Sequence, residues 1–292
     1  MQRPLKQHGR YPYSAITRRA DYHWPGKKRL AVYLGFNIEH FDFGTGLGAA
    51  LGPRSPEPDV LNYSWRDYGN RVGVWRCLDL FTELKIPAAA LINTALYDYC
   101  PEVVEACVRR GDEIVGHGHT NSDRQSELTE EKERSLLAYC RERIRKESGQ
   151  EAGGWLSPWI SESPVTPDLL AETGYRYTLN WCHDDQPLPF ATRSGKRLWS
   201  IPYPQELNDV PMIVARLMDG RAFADMIVDQ FDEMLRQSEQ QPLVMGIALH
   251  PYLVGQPYRL RHLRRALAHV LNHPDKVWFT TPGAVCEFVE KL

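Results

Sequence analysis

The sequence predicts a single-domain α/β fold, a distorted (β/α) barrel of seven or eight mainly parallel strands. Short apolar runs alternate with segments of helical periodicity along the 292 residues, and such alternation is typical of a parallel sheet covered by helices. No linker-like stretch and no internal repeat divides the chain, and a barrel of this kind commonly needs about 200–250 residues. We therefore expect one domain over residues 1–292, with residues 1–28 as an N-terminal arm.

The predicted strands are short apolar runs bounded by turn residues. The first run, RLAVYLGFNI at residues 29–38, follows the turn dipeptide Pro25-Gly26 and is rich in aromatic and aliphatic residues, which indicates a buried strand. The predicted strands comprise residues 29–38, 87–93, 112–115, 155, 176–179, 198–201, 243–249 and 277–279. This number of strands in one chain favours a barrel over an open sheet.

The segments between these strands carry apolar residues at helical spacing or begin with helix-start signals. Pro101 stands at the start of one such segment, and Thr129 opens another as Thr-Glu-Glu-Lys. Helices are predicted at residues 72–84, 101–110 and 129–146, and near Asp168, Arg221, Arg259 and Gly283. The Gly- and Pro-rich stretch at 44–58 lacks helical periodicity, so we expect a functional loop or arm there.

The overall charge and composition exclude several classes of partner. The formal net charge is -2 and the isoelectric point is about 6.6, so no sequence-wide basic field is present to hold nucleic acid or an anionic membrane. Six cysteines without CxxC spacing indicate reduced thiols, and the N-terminus lacks the apolar segment of a secretory signal. We expect a soluble cytoplasmic protein that binds neither nucleic acid nor membrane.

Acids and imidazoles follow four of the predicted strands. These polar strand ends are NIEH at 37–40, GHGHTN at 116–121, WCHDD at 181–185 and LHP at 249–251. In a parallel barrel the carboxyl ends of the strands meet at one face, where the reactive side chains of such folds lie. The sequence therefore predicts a site at this face.

Three residues of these strand ends are the candidate catalytic groups. Glu39 is the candidate general base that activates water, with capping of a backbone donor as its alternative role. His250 precedes the fixed turn of Pro251 and is the candidate general acid, with a core histidine as the alternative. His117 is a candidate catalytic or ligand residue. Because side chains alternate along an extended segment, His119 should point to the other side and serve structure.

Several ordered motifs of the chain together resemble a known family of hydrolases. These motifs are RYPYS at 10–14, NIEHF at 37–41, GDEIVGHGHTN at 111–121, GWLSP at 154–158, DDQP at 184–187 and LHPYLVGQPYR at 249–259. Over nearly the whole chain they resemble the polysaccharide deacetylase superfamily, carbohydrate esterase family four, and within it the divergent branch of cofactor-independent allantoinases and cyclic imide hydrolases. The resemblance implies a barrel of the polysaccharide-deacetylase type and a homo-oligomer, either a dimer or a tetramer.

The chain departs from the family pattern at the metal site. In the polysaccharide enzymes of the superfamily, the first strand ends in two aspartates, a base and a metal ligand, which two histidines join. Here the pair becomes Glu39-His40, His117 matches the first histidine, and the second falls on Asn121. Two interpretations stay open: a divalent metal such as zinc could use His40 and His117 with a nearby oxygen, or an imidazole pair could replace the cation so that no cofactor is required. The family's supporting arginine is also absent from LSPW at 156–159.

The candidate substrate-binding residues complete the predicted site. Asn121, Trp159, Trp181 and Asp185 are assigned to substrate binding. Aromatic residues including Trp65 and Tyr203 could line a compact pocket, although each could equally pack in the core. Asp185 and its neighbour Asp184 could equally serve a turn before Gln186-Pro187.

Three functions follow from these residues and from the resemblance. The first is hydrolysis of a carbon–nitrogen bond in a small cyclic amide such as an imide, a hydantoin or allantoin, which makes a small molecule the expected partner. The second is deacetylation of an N-acetyl sugar or a polysaccharide. The third is a barrel that has lost catalysis and binds a ligand or a partner.

Overall fold

A computed structural model describes residues 6–44, 51–52 and 57–292, and these residues fold around one mainly parallel sheet. Nine strands form this sheet within the described residues: β1 (Leu30–Ile38), β2 (Ala88–Ile92), β3 (Glu113–Gly116), β4 (Gly154–Trp155), β5 (Tyr177–Thr178), β6 (Leu188–Phe190), β7 (Leu198–Ser200), β8 (Leu243–Leu249) and β9 (Val277–Thr280). Eight of them are parallel and coincide with the eight predicted strands, which confirms the predicted α/β fold.

The strand order makes the sheet a half-barrel with two ends. The order is β6-β7-β5-β4-β3-β2-β1-β8, and β9 also pairs with β1. The unpredicted strand β6 is antiparallel to β7 and closes one edge. It has only three residues and contains Pro189, a residue that edge strands tolerate because their outer N–H groups need no partner. Across the opening between the two ends, the amide of Val244 donates to the carbonyl of Asp185 at 2.9 Å.

Helices follow most of the strands and cover the outside of the sheet. Their bounds are α1 (Val60–Tyr68), α2 (Val74–Glu83), α3 (Leu96–Tyr99), α4 (Pro101–Arg110), α5 (Glu130–Ser148), α6 (Thr166–Thr173), α7 (Gly220–Gln237), α8 (Pro251–Val254), α9 (Pro257–Leu271) and α10 (Pro282–Val289). A π-helical turn, Gly69–Gly73, joins α1 to α2. The predicted helix at 72–84 is therefore the second half of a longer helical segment, and α1 was not predicted.

The described part of the N-terminal arm packs against the barrel through two arginines and a tryptophan. Arg10 donates to both carboxylate oxygens of Asp168 at 2.7 and 2.8 Å, and Arg19 does the same to Asp184 at 2.7 and 2.6 Å. Trp24 is 1% exposed. Most of the loop predicted at 44–58 lies outside the described residues.

Strand β1 is the centre of the core. All nine of its residues are buried, and it pairs with β8 over residues 30–36, with β9 over residues 30–33 and with β2 over residues 34–38. A strand covered on both faces reads as a continuous apolar run, which is what residues 30–36 show. No helix among the described residues combines the length and the apolar character needed to cross a membrane.

Candidate active site

The three predicted catalytic residues lie next to one another at the carboxyl end of the sheet. Glu39, His117 and His250 come directly after the strands β1, β3 and β8, and they are 8%, 2% and 5% exposed. The Oε1 atom of Glu39 is 3.5 Å from Nε2 of His117 and 3.5 Å from Nε2 of His250. One carboxylate oxygen therefore stands between two imidazoles.

The backbone contact of His117 determines which of its ring nitrogens faces the site. Its Nδ1 lies 2.7 Å from the carbonyl oxygen of Leu156. A carbonyl can only accept, so Nδ1 carries the hydrogen and, in the neutral ring, Nε2 presents a lone pair. This Nε2 is buried and has no hydrogen-bond partner among the described residues. A lone pair and a carboxylate oxygen thus converge on a place suited to a hydrogen-bond donor.

His250 is held by a buried carboxylate that was not predicted from the sequence. Its Nδ1 is 2.6 Å from Oδ1 of Asp209, and its backbone amide donates to Oδ2 of the same residue at 2.8 Å. Burial lowers the pKa of His250, but the charges of Asp209 and Glu39 more than offset this and raise the pKa to about 9. His250 is therefore an imidazolium at neutral pH and carries the proton that a general acid needs.

Glu39 is paired with an arginine from helix α1. Arg66 donates through Nη1 to Oε2 of Glu39 and, at 2.9 Å, to the hydroxyl of Tyr252, and its guanidinium lies 4.0 Å from the ring centroid of Phe41. Burial alone would raise the pKa of Glu39, but the charges of Arg66 and His250 hold it well below its ordinary value. Glu39 is thus ionised. Arg66 supplies a cation beside this base, in place of the arginine that is absent from the LSPW segment.

These residues line a small cavity of about 330 Å³. Its other walls include Asn37, Tyr203, Asn208, Leu156 and Ile160. A volume near 300 Å³ lies at the lower limit of known ligand pockets, and a few polar groups in a largely apolar wall are typical of such sites.

Two of the predicted substrate-binding residues, Asn121 and Trp159, line the same cavity. Trp159 donates from Nε1 to the carbonyl of Asn121 at 2.8 Å and remains 39% exposed at the rim. It adopts a φ of 62°, a conformation that is strained for a residue with a large side chain and that clusters at functional sites. Tyr203 also lies here, whereas Trp65 packs beside Leu51 and Tyr252 in a separate apolar cluster.

The structure does not bring Trp181 and Asp185 to this cavity, which corrects their predicted role. Strand β5 ends at Thr178, so the chain has already left the face of the sheet when it reaches Trp181. The indole packs against Tyr11 of the N-terminal arm and donates to Glu162 at 2.8 Å. Asp185 lines a different, larger cavity of about 630 Å³, beside the opening of the half-barrel.

The predicted metal pair of His40 and His117 is not assembled. The ring of His40 lies 4.7 Å from that of Tyr99, and its Nε2 is 4.0 Å from Asp42. His40 directly follows Glu39, and successive residues of an extended chain point in opposite directions. Among residues 6–44, 51–52 and 57–292, no group of three His, Cys, Asp or Glu side chains could hold a metal ion. The residues present do not fit the predicted zinc site.

The alternation predicted for the two histidines of the GHGHTN segment is confirmed. His117 lines the cavity with Glu39, whereas His119 lines another cavity next to α5 and contacts the hydroxyl of Thr94 at 3.0 Å.

Three polar residues of the site were not predicted from the sequence: Arg66, Asp209 and Tyr252. Tyr252 stands two residues after His250 in the LHPYL segment, and this proximity was a usable signal. Arg66 and Asp209 lie in segments where no apolar run marks a strand end, so no comparable signal existed for them.

Comparisons with known proteins agree with this fold. Residues 60–178 match the family model described as Polysaccharide deacetylase. The peptidoglycan deacetylase of Helicobacter pylori is 23% identical over 296 residues, which cover 90% of this chain and 98% of that protein. The crystal structure of PuuE allantoinase superposes with a TM-score of 0.87 at 26% identity, covering 96% of this chain and 98% of that one. A structure described as a “probable polysaccharide deacetylase” of Pseudomonas aeruginosa PAO1 gives 0.85 at 27% identity, with coverage of 96% and 98%.

The fold, the matched family model and the similar proteins together indicate a hydrolase of amide-type carbon–nitrogen bonds. The predicted resemblance to the polysaccharide deacetylase superfamily is confirmed, with an allantoinase among the similar structures. These findings favour the two enzymatic alternatives over a non-catalytic barrel.

Proposed function

We propose that this protein hydrolyses a small cyclic amide, such as an imide, a hydantoin or allantoin, with Glu39 as general base and His250 as general acid. The observation that carries the proposal is the position of Glu39 Oε1, 3.5 Å from both imidazole Nε2 atoms in a cavity of about 330 Å³. Acid, base and a place for water thus share one small volume.

Glu39 and His117 are suited to bind the attacking water. A water molecule in the cavity can donate one hydrogen bond to Oε1 of Glu39 and one to the lone pair of Nε2 on His117, because both are acceptors. Its oxygen then points away from them, towards a carbonyl carbon of the substrate. As the oxygen attacks, one proton moves to Glu39 and the new carbon–oxygen bond forms.

His250 is suited to complete the reaction. Its Nε2–H can protonate the nitrogen as the carbon–nitrogen bond breaks, so that the ring opens to a carboxylic acid and an amine or amide. Asp209 retains the hydrogen bond to Nδ1 and fixes the ring in the orientation that directs Nε2 into the cavity.

The low pKa of Glu39 makes it a weak base in the resting site, and the proton movements of the reaction explain how it still serves. Arg66 and the imidazolium of His250 both lower this pKa. When His250 gives its proton to the leaving nitrogen, one of these charges disappears and the affinity of Glu39 for a proton rises. Loss of the proton from His250 therefore favours uptake of the water proton by Glu39 in the same reaction.

The cavity favours a small substrate over a polymer. A groove for a sugar chain would have to extend along the surface, whereas this cavity has a volume of about 330 Å³ and is lined by the buried side chains of Glu39, His117 and His250. Deacetylation of an N-acetyl sugar stays the second candidate, because the relative from Helicobacter pylori is described as a peptidoglycan deacetylase. The same acid and base could cleave an acetamide.

The decisive experiment measures hydrolysis of succinimide, hydantoin, allantoin and N-acetylglucosamine oligomers by the purified protein, before and after treatment with a chelator. Glu39→Gln is expected to lower kcat by about 10²–10⁴-fold. Glu113→Gln is the matched control, since Glu113 is a half-buried glutamate that accepts from Tyr177 at 2.7 Å at the start of β3, at the other end of the sheet. It should keep the activity of the wild type.

Each outcome has a definite meaning. Turnover of a cyclic compound that is lost in Glu39→Gln and kept in Glu113→Gln supports the proposal, and a chelator that abolishes this turnover would show that a metal is needed. Turnover of acetylated sugars alone would replace the substrate and keep the residue roles. Equal activity in wild type and Glu39→Gln would reject the proposed base.

A further inference from the structure

Two asparagines present unpaired amide groups to the cavity that holds Glu39. Asn121 and Asn208 are 3% and 7% exposed and both line this cavity. Each side-chain oxygen is engaged as an acceptor, while among the described residues neither Nδ2 contacts a hydrogen-bond acceptor. An amide nitrogen without a partner, on a buried residue that lines a cavity, is suited to bind an acceptor atom of a ligand.

A third asparagine, Asn93, fixes the orientation of Asn121. Asn93 is fully buried, and its Oδ1 accepts from the backbone amide of His40 at 2.7 Å. Its Nδ2 must then point the other way, where it donates to the carbonyl of His117 and, at 3.0 Å, to Oδ1 of Asn121. Because Oδ1 of Asn121 is held on that side, its Nδ2 is directed into the cavity.

The backbone fixes Asn208 in a comparable way. Its Oδ1 accepts from the amide of Val210 at 3.1 Å, so its Nδ2 is also the free end of the side chain. Asn208 pairs through its backbone with Ala248 of β8 and immediately precedes Asp209, the partner of His250.

The two amides lie on opposite sides of Glu39. Asn121 follows β3 and belongs to the same segment as His117, whereas Asn208 lies beside β8 and His250. In the sheet, β1 with Glu39 stands between β8 on one side and β2 and β3 on the other. Each donor therefore accompanies one of the two imidazoles.

We propose that Asn121 and Asn208 recognise two separate carbonyl oxygens of the substrate, so that the enzyme selects compounds in which two carbonyls flank one nitrogen. This inference rests on the proposed function. The attacked carbonyl lies on the water side, with its oxygen on Asn121. The leaving nitrogen lies at His250. The second carbonyl is bonded to the same nitrogen, so its oxygen reaches Asn208.

The test compares succinimide with 2-pyrrolidinone, a ring of the same size that lacks one carbonyl. Dissociation constants are measured by calorimetry in the full chain carrying Glu39→Gln, which slows turnover. Asn121→Asp and Asn208→Asp are added singly, because each keeps the oxygen acceptor and replaces the donating NH₂ by an acceptor. Asn272→Asp, at an exposed position, is the control for the added charge.

The expected pattern differs between the two variants. In the chain carrying Glu39→Gln alone, succinimide binds about tenfold more tightly than 2-pyrrolidinone. Asn208→Asp removes this preference by weakening succinimide alone, whereas Asn121→Asp weakens both compounds by about tenfold. Both compounds are neutral, so a general effect of the new charge cancels in the ratio. Asn208→Ser, which keeps an acceptor for Val210, replaces Asn208→Asp if that variant does not fold.

The inference is overturned if the two compounds bind equally, or if Asn208→Asp leaves the ratio of their dissociation constants unchanged. Its failure is distinct from failure of the proposed function, because hydrolysis and binding preference are measured separately. Hydrolysis of succinimide with no effect of Asn208→Asp on the ratio would reject the carbonyl pair and keep the reaction. A preference that depends on Asn208, without any hydrolysis, would keep the carbonyl pair and reject the reaction.

Discussion

Oδ1 of Asp209 lies 2.6 Å from Nδ1 of His250, and the side chain of Asp209 is fully buried behind that ring. The contact joins β8 to the irregular segment before the π-helical turn Val210–Ala215. It determines both the orientation of the imidazole and the pH range in which the ring is charged. Asp209 is therefore a positioning residue for the proposed general acid.

Replacing Asp209 by Asn should shift the alkaline limb of the pH–rate profile to lower pH. His250 has to be protonated to act, so activity falls as the pH rises through its pKa of about 9. The amide removes the charge that raises this pKa, and the limb then begins nearer neutral pH. At pH 8 we expect kcat to fall by about tenfold or more.

Asp232→Asn is the matched control for this profile, because Asp232 accepts from His269 at 2.7 Å at an exposed surface. Its profile should coincide with that of the wild type. An unchanged alkaline limb in Asp209→Asn would show that His250 is not the group that titrates there.

Replacing Arg66 by Met should shift the acid limb to higher pH and destabilise the fold. Glu39 has to be ionised, and among the neighbouring charges Arg66 lowers the pKa of Glu39 the most. Without it the carboxylate takes up a proton at a higher pH, so activity is lost earlier on acidification. Because the ion pair is buried, removal of one partner should lower the free energy of unfolding by about 3–5 kcal/mol.

Arg66→Lys separates the two effects. It keeps the charge but replaces the guanidinium, whose Nη1 donates to both Glu39 and Tyr252, by a shorter side chain with an ammonium group. The acid limb should therefore stay closer to that of the wild type. Arg145→Met, at an exposed pair with Glu142, should alter neither property. An acid limb that does not move in Arg66→Met would exclude Glu39 as the titrating base.

The strands and their polar ends were predictable because both leave a local pattern. Eight apolar runs mark the eight parallel strands, and Glu39, His117 and His250 stand directly after three of them. Parallel strands bring such residues together whatever their separation in the sequence. Trp181 was misplaced by the same reasoning, because β5 is only two residues long and the chain turns away before the indole.

The partners of the catalytic residues were not predictable in this way. Arg66 lies on α1, and its contact with Glu39 depends on how that helix crosses the end of the sheet, which its own sequence does not encode. Asp209 lies between β7 and α7, where no periodic pattern indicates a direction for the side chain. Such contacts are fixed by tertiary packing and have no local signature.

The tryptophans that were predicted together should behave differently. Trp159→Ala should raise KM by about tenfold, because its indole forms the rim of the cavity and holds the carbonyl of Asn121 at 2.8 Å. Trp181→Ala should leave kcat/KM within about twofold of the wild type, since the residue lies outside the cavity. Loss of its packing against Tyr11 should instead lower the free energy of unfolding by about 1–3 kcal/mol.

Steady-state kinetics and denaturant unfolding of both variants test this assignment. Trp159→Phe keeps an aromatic rim without the Nε1 donor and should have an intermediate KM. A larger effect on KM in Trp181→Ala than in Trp159→Ala would return Trp181 to the substrate site.

Replacing Gly73 by Ala should reduce both stability and activity, because helix α8 lies against this glycine. A Cβ atom at Gly73 would overlap the carbonyl oxygen of Pro251 and approach Gly255. Backbone atoms cannot move aside as a flexible side chain can, so α8 would have to shift, at a cost of about 1–3 kcal/mol in the free energy of unfolding. Pro251 directly follows His250, and the shift would displace the proposed general acid from Glu39.

Gly153→Ala provides the control, because a Cβ atom there would meet only ordinary van der Waals contacts with Tyr177 and Arg176. It should unfold and turn over substrate like the wild type. If Gly73→Ala lowers the free energy of unfolding while kcat stays unchanged, the position of His250 does not depend on the packing of α8. A fall in both quantities ties the geometry of the acid to this close approach of two backbones, since no side chain of the site has been altered.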